Sequence, residues 1–254
     1  NYVLHLAANT HVDRSIEYPM EFVLDNVVGT CNILDYARGL KNLELFSYFS
    51  TDEVFGPAPE GTEFKEWDRY KSSNPYAATK AGGEELAYSY FNTFDLPVAI
   101  THTMNVFGER QHPEKFVPKV VNAVLRGERL FIHSNADKSK AGSRHYVHAR
   151  NVTAAMLFLI KQHEQGAQII GDKFNISGEK ELDNLALAEY IAEVVGKPLN
   201  YEMVDFHSCR PGHDLRYALD GSKLKDMGFE FPKTFEDSLK KTVSWYLDHP
   251  EWLL

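Results

Sequence analysis

The chain has 254 residues, 43% of them hydrophobic, which is enough for one large core, or for a main domain carrying a smaller one, and excludes disorder of the whole. A formal net charge of -9 argues against a nucleic-acid or anionic-membrane partner, because both need a basic surface, so any bound phosphate must be met by local cations. Two cysteines, Cys31 and Cys209, have no neighbour at metal-ligand or redox spacing and suit a reducing compartment.

The chain opens on Asn1 and enters a strand at once, so its start is expected to lie inside a longer protein. Short apolar runs then alternate with amphipathic helical stretches, the pattern of a parallel sheet covered by helices. Strands are expected at 3–7, 43–50, 97–102, 130–133 and 173–177, and helices at 20–38, 75–94, 116–126 and 152–162. In the first helix Val23, Val27 and Leu34 share a face, and Gly39 ends it. The remainder is less regular, with helices at 184–195 and 235–247 and an extended stretch at 199–204, and reads as a smaller domain. The polar stretch 134–142 is an exposed loop by composition. The strongest apolar run, near 152–160, is far shorter than a membrane span and no signal-peptide pattern is present, so a cytoplasmic protein without a membrane partner is expected.

Tyr76 and Lys80 stand four apart just inside a helix announced by Asn74 as N-cap and Pro75 at its first position. A lysine cation beside a phenol lowers the phenol's pKa, which makes Tyr76 a candidate base near neutral pH. Among thirteen tyrosines about one such pair arises by chance, so the placement has to decide. Upstream, the run 43–50 ends in Ser50-Thr51-Asp52-Glu53, a hydroxyl and two carboxylates at the carboxyl end of a strand, the edge where open α/β sheets bind ligands. Adjacent carboxylates in a dry cleft separate their pKa values, so one serves as acid and the other as base. An acidic turn capping backbone groups is the alternative for Thr51 and Asp52 taken alone.

These residues, with His5-Leu-Ala-Ala-Asn-Thr-His-Val-Asp-Arg-Ser15, Asn74-Pro-Tyr-Ala-Ala-Thr-Lys80, Pro113-Glu-Lys115, Arg144-His-Tyr-Val-His148, Phe174-Asn-Ile-Ser-Gly178 and Arg210-Pro-Gly-His-Asp214, resemble the extended short-chain dehydrogenase/reductases over nearly the whole chain. The Asp52-Glu53 pair narrows the resemblance to the NDP-glucose 4,6-dehydratases. The resemblance implies an α/β fold: a Rossmann-like doubly wound parallel sheet lacking its first strands, with a smaller C-terminal α/β substrate-binding domain. It divides the chain into a partial NAD-binding domain, 1–106, and a mainly substrate-binding part, 107–254, with segments near 130–178 returning to the main sheet.

By the same resemblance the reaction is NAD-dependent dehydration of dTDP- or UDP-glucose to the 4-keto-6-deoxy sugar, with Thr51, Asp52, Glu53, Tyr76 and Lys80 catalytic. Leu6, Ala7, Ala8 and Thr10 would line the cofactor together with Tyr76 and Lys80. Asn105, Lys115, Arg144, Asn184, Arg210 and His213 would hold the nucleotide sugar, the arginines forking onto its phosphates. A homodimer through helices 20–38 and 75–94 is expected, and no metal: the eleven histidines show no metalloenzyme spacing. A nucleotide-sugar 4-epimerase or decarboxylase, which has no need of Asp52 as an acid, and a non-catalytic nucleotide-sugar-binding domain are the rival readings.

The sequence departs from the family in having no Gly-x-x-Gly-x-x-Gly after a strand, the loop that carries a dinucleotide pyrophosphate on a helix N-terminus. Such a segment is expected ahead of Asn1, and the chain alone is expected to bind NAD poorly. Phe107, His145 and Asp25 also replace more usual residues, which bears on nucleotide preference and not on proton transfer.

Overall fold

The computed structural model describes residues 1–206 and 214–254. They divide into two compact units: the first holds 1–103, 155–176 and the described part of 212–229, the second holds 104–154, the described part of 177–211, and 230–254.

The first unit is built on a four-stranded sheet of β1 (Tyr2–His5), β2 (Leu45–Thr51), β3 (Val98–Thr103) and β8 (Lys173–Ile176), in that order and parallel throughout. β2, β3 and β8 are buried on both faces, polar residues such as Ser47, His102 and Asn175 included. α1 (Val12–Glu17) follows β1, and a long helix then runs as α2 (Pro19–Phe22), a π-helical turn (Val23–Val28) and α3 (Gly29–Arg38). α4 (Pro75–Phe94) packs on α3, on the π turn and on β2. Leu34, Ala37, Phe46, Tyr48, Ala87, Val98 and Ile100 form the core between these helices and the sheet.

α1 escapes sequence reading because six residues are under two turns and show no periodicity. The π turn has the apolar spacing of an α-helix, so its position is not marked in the sequence. Asn26, buried within it, accepts the backbone N–H of Asn9 at 2.8 Å and donates from Nδ2 to the Asn9 carbonyl and to Thr79 Oγ1, both at 3.0 Å. One side chain thus ties the loop after β1 to α4.

The second unit packs α5 (Phe116–Arg126), α7 (Asn184–Val195) and the helix Phe235–Asp248 around Val120, Val124, Leu187, Ile191, Leu239 and Val243. α5 and α7 each end on a left-handed glycine, Gly127 and Gly196. Three two-stranded ladders complete it: β5 (Leu130–Ser134) with β10 (Tyr201–Asp205), β4 (Val106–Phe107) with β7 (Val147–His148), and β6 (Ser143–His145) with β9 (Glu181–Asp183). Of residues 130–178, then, only β8 pairs in the four-stranded sheet. α6 (Ala149–Glu164) is shared between the units. Among the described residues no helix is long and apolar enough to cross a membrane.

Candidate active site

β2 delivers Thr51 at its carboxyl end, and a 3-10 turn, Asp52–Phe55, follows directly. Thr51 caps that turn: its hydroxyl oxygen accepts the Glu53 N–H at 3.4 Å and its hydroxyl donates to Asp52 Oδ1 at 3.0 Å. The capping expected as an alternative is therefore present together with the clustered carboxylates. Asp52 is buried and Glu53 half-buried. Gly56 closes the turn at φ 76, where a Cβ would collide with the Lys71 carbonyl, so only glycine fits.

α4 begins as its caps foretell. Asn74 accepts the Ala77 N–H at 2.8 Å and Pro75 opens the helix. Tyr76, in the first turn, is held by its neighbours: its N–H donates to Ser15 Oγ at 3.1 Å and its carbonyl accepts from Thr79 Oγ1 at 2.8 Å. Its ring packs edge-on against Phe22. The Thr51 hydroxyl and the charges of Glu53 and Asp52 all act on the Tyr76 phenol, so strand end, acidic turn and helix start share one neighbourhood.

The expected lowering of the Tyr76 pKa is not found. Burial pushes the phenol well above its ordinary value, Glu53 and Asp52 push it further, and only Thr51 works the other way. Lys80 does not oppose this, because its ammonium donates to the Phe49 carbonyl at 2.7 Å and lies 4.4 Å from the centre of the Tyr48 ring. Burial brings Lys80 itself down to about 8, with Glu84 one turn further along the helix pulling the other way. In the protein alone, then, the environment of Tyr76 favours its protonated form, and the Lys80 ammonium is directed to Phe49 and Tyr48.

Leu6, Ala7, Ala8 and Thr10 form the loop after β1, at the carboxyl edge of the sheet. Leu6 is 53% exposed, Ala7 and Thr10 are exposed and Ala8 is half-buried. Small and apolar groups open to solvent at a sheet edge, next to the strand that bears Tyr48 and Thr51, fit the flat face of a dinucleotide.

In the second unit, Asn105 is exposed and its carbonyl accepts the Val147 N–H at 3.0 Å. Lys115 is the N-cap residue of α5 and is half-buried. Arg144 lies in β6, paired with Leu182 of β9, and donates from Nη1 to the Ser143 carbonyl at 2.6 Å. Asn184 opens α7 and its Oδ1 accepts from the Tyr146 hydroxyl at 2.6 Å, so that oxygen is already engaged. The β6–β9 ladder and this bond bring Arg144 and Asn184 into one region. Arg210 and His213 lie outside the described residues.

Several site-supporting residues carry no sequence signal of their own. Asn74 donates from Nδ2 to Glu53 Oε2 at 3.0 Å, and the Tyr217 hydroxyl donates to the same oxygen at 3.4 Å. Only the capping role of Asn74 is visible in its spacing to Pro75. Glu84 is signalled weakly, as a carboxylate four residues after Lys80 among small and apolar neighbours.

Residues 1–242 match the family described as GDP-mannose 4,6 dehydratase. The low-salt glycan biosynthesis protein Agl12 of Haloferax volcanii is 39% identical over 249 residues, which cover 98% of this chain and 76% of that protein. The dTDP-glucose 4,6-dehydratase of Salmonella typhimurium is 34% identical over 274 residues, 99% of this chain and 73% of that protein. Among solved structures, DesIV, a dTDP-glucose 4,6-dehydratase from Streptomyces venezuelae with NAD and TYD bound, matches with a TM-score of 0.88 at 32% identity, over 99% of this chain and 74% of that one. The common fold is the Rossmann-like α/β sheet.

Proposed function

The chain belongs to the GDP-mannose 4,6 dehydratase family, and from that premise we propose that it dehydrates an NDP-glucose, dTDP- or UDP-glucose, to the 4-keto-6-deoxy sugar. As an NAD-dependent nucleotide-sugar 4,6-dehydratase it is a hydro-lyase. The observation that carries the reading is the grouping of Thr51, Asp52 and Glu53 at the carboxyl end of β2 around the Tyr76 phenol. An epimerase needs the threonine, the tyrosine and the lysine; only a dehydratase has work for both carboxylates.

When bound, the cofactor would supply the hydride acceptor for C4 as NAD+, the hydride donor for C6 once reduced, and, in its oxidised form, a positive charge that favours ionisation of a nearby phenol. Tyr76 takes the proton of the sugar 4-hydroxyl, and Thr51 hydrogen-bonds the same oxygen. Lys80 would hold the nicotinamide ribose. The new 4-ketone acidifies the C5 proton, which Glu53 removes while Asp52 gives a proton to the departing 6-hydroxyl, and water leaves; Glu53 gives the proton back to C5 as C6 is reduced. Each proton transfer contributes roughly 10²- to 10⁴-fold in rate.

We assign cofactor binding to the first unit, with Leu6, Ala7, Ala8 and Thr10 beneath the dinucleotide. Asn105, Lys115, Arg144, Asn184, Arg210 and His213 are assigned to the nucleotide sugar. A second copy of the chain is the partner we assign to the helix running from Pro19 to Arg38, on which Met20, Leu24 and Val28, four apart, are 66%, 56% and 44% exposed. Light scattering at twice the 29.0 kDa chain mass is the expected result.

The test of the reaction is incubation of the protein with NAD and, separately, dTDP-glucose, UDP-glucose and GDP-mannose. A base-labile 4-keto chromophore with loss of one water from a glucose nucleotide is expected. An epimer of unchanged mass overturns the reading.

A further inference from the structure

We propose that Asn74 is a positioning residue for Glu53, using the two ends of one amide to start the catalytic helix and to aim the carboxylate that removes the C5 proton. The proposal rests on the dehydratase reading, which makes Glu53 that base. Asn74 is 6% exposed and has extended backbone, φ -144 and ψ 163, as an N-cap must. The Ala77 N–H can only donate and an ionised carboxylate can only accept, so the amide has one workable orientation, with Oδ1 on Ala77 at 2.8 Å and Nδ2 on Glu53 at 3.0 Å. Neither half can turn without breaking the other.

A cap needs only an acceptor, and serine, threonine and aspartate supply one as well as asparagine does. Only an amide adds a donor on the same rigid plane. That donor joins Glu53, in the turn after β2, to the residue two before Tyr76, and so couples the group that takes the 4-hydroxyl proton to the group that deprotonates C5. The Tyr217 hydroxyl reaches the same Oε2 at 3.4 Å, so two donors from separate segments fix the plane of the carboxylate. A base must lie within hydrogen-bonding reach of its proton, and small misplacements are costly, so orientation here is a rate term and not only a stability term.

The test compares Asn74→Asp and Asn74→Ser with the parent. Aspartate keeps the shape and the cap but cannot donate when ionised; serine keeps a cap oxygen on a shorter side chain that withdraws from Glu53. Both variants are expected to melt close to the parent. The turnover rate is expected to fall about 10- to 100-fold, the loss of one hydrogen bond to a charged group. Because C4 oxidation is left intact, reduced nicotinamide should accumulate during turnover, and the isotope effect with 5-deuterated substrate should rise as C5 deprotonation becomes slower. Unchanged turnover overturns the proposal. So does a fall in rate without reduced nicotinamide and without a larger isotope effect, since that is the behaviour of a purely structural cap. Should Asn74→Asp not fold, Asn74→Ser and Asn74→Thr make the same comparison. A parent protein that releases no water from any nucleotide sugar instead sinks the dehydratase reading, before any variant is measured.

Discussion

The Ser50 hydroxyl donates to Glu84 Oε2 at 2.7 Å, which ties the end of β2, one residue before Thr51, to α4 one turn beyond Lys80. Glu84 is wholly buried, and it also receives the Tyr70 hydroxyl, pairs with Lys173 Nζ at 2.9 Å and meets His102 Nε2 at 3.1 Å. Burial alone raises its pKa; His102 first, then Lys173 and Tyr70, more than offset this and hold it below the usual carboxylate range. Strand, helix and the segment carrying Tyr70 therefore converge on one charge.

Glu84→Gln should accordingly be costly. It leaves the buried Lys173 ammonium without its counter-charge and turns an amide NH2 toward groups that donate. Removing one member of a buried pair costs about 3–5 kcal/mol, read as a lower urea midpoint at neutral pH. A carboxylate with a depressed folded pKa contributes fully above its unfolded pKa, and the contribution is lost as pH falls through the folded value. The gap between parent and variant should therefore narrow below the ordinary carboxylate range. Equal midpoints at neutral pH refute the argument.

Lys80 should set an alkaline limit on activity. Burial lowers it to about 8, so its ammonium is present below that pH and lost above it, and kcat/KM should fall as pH rises through about 8. Tyr48, His5 and Glu84 are titratable groups around it, and among them Glu84 favours the charged form. In Glu84→Gln, assayed where it remains folded, the alkaline limb should move to lower pH. An unmoved limb would show that the two groups are not coupled.

Oxidation and elimination should separate by mutation. Tyr76→Phe removes the proton acceptor for the 4-hydroxyl and should abolish reduction of the nicotinamide as well as product. Asp52→Asn and Glu53→Gln leave that step in place and should lower water loss roughly 10²- to 10⁴-fold while reduced nicotinamide builds up. Absorbance of the reduced cofactor and the mass of the product read the two steps independently. If Asp52→Asn eliminates water at the parent rate, Asp52 is not the acid.

The parts of the molecule that sequence makes legible are those fixed by local chemistry. β2 and β3 stand out as short strand-forming stretches rich in apolar and aromatic residues, and α4 because Asn74 and Pro75 mark its start. The spacing of Tyr76 and Lys80 gives a shared helix face but says nothing of where the ammonium points; the Phe49 carbonyl, 31 residues away, decides that. For the same reason the link from Asn74 to Glu53, across 21 residues, has no periodic signature. Nor does the π turn, in which Asn26 meets Asn9 and Thr79 together.

Gly83 tests how closely α4 is required to approach that turn. A Cβ there would collide with the Tyr48 hydroxyl and come within 2.8 Å of the Asn26 carbonyl. The Asn26 carbonyl is backbone and accepts from Thr30 Oγ1, and the Tyr48 hydroxyl donates to the Lys80 carbonyl at 3.1 Å, so neither can retreat without loosening the turn that carries Tyr76 and Lys80. Gly83→Ala should cost about 1–3 kcal/mol by overpacking and lower activity as well. At the adjacent Gly82 a Cβ meets only a Val27 methyl at 3.4 Å, so the same change there should gain up to about 1 kcal/mol from helix propensity and leave the rate alone. Thermal unfolding of the two variants side by side measures the difference. Coincident melting curves would mean that α4 can shift outward, and that the close contact with Tyr48 is not what holds Lys80 in place.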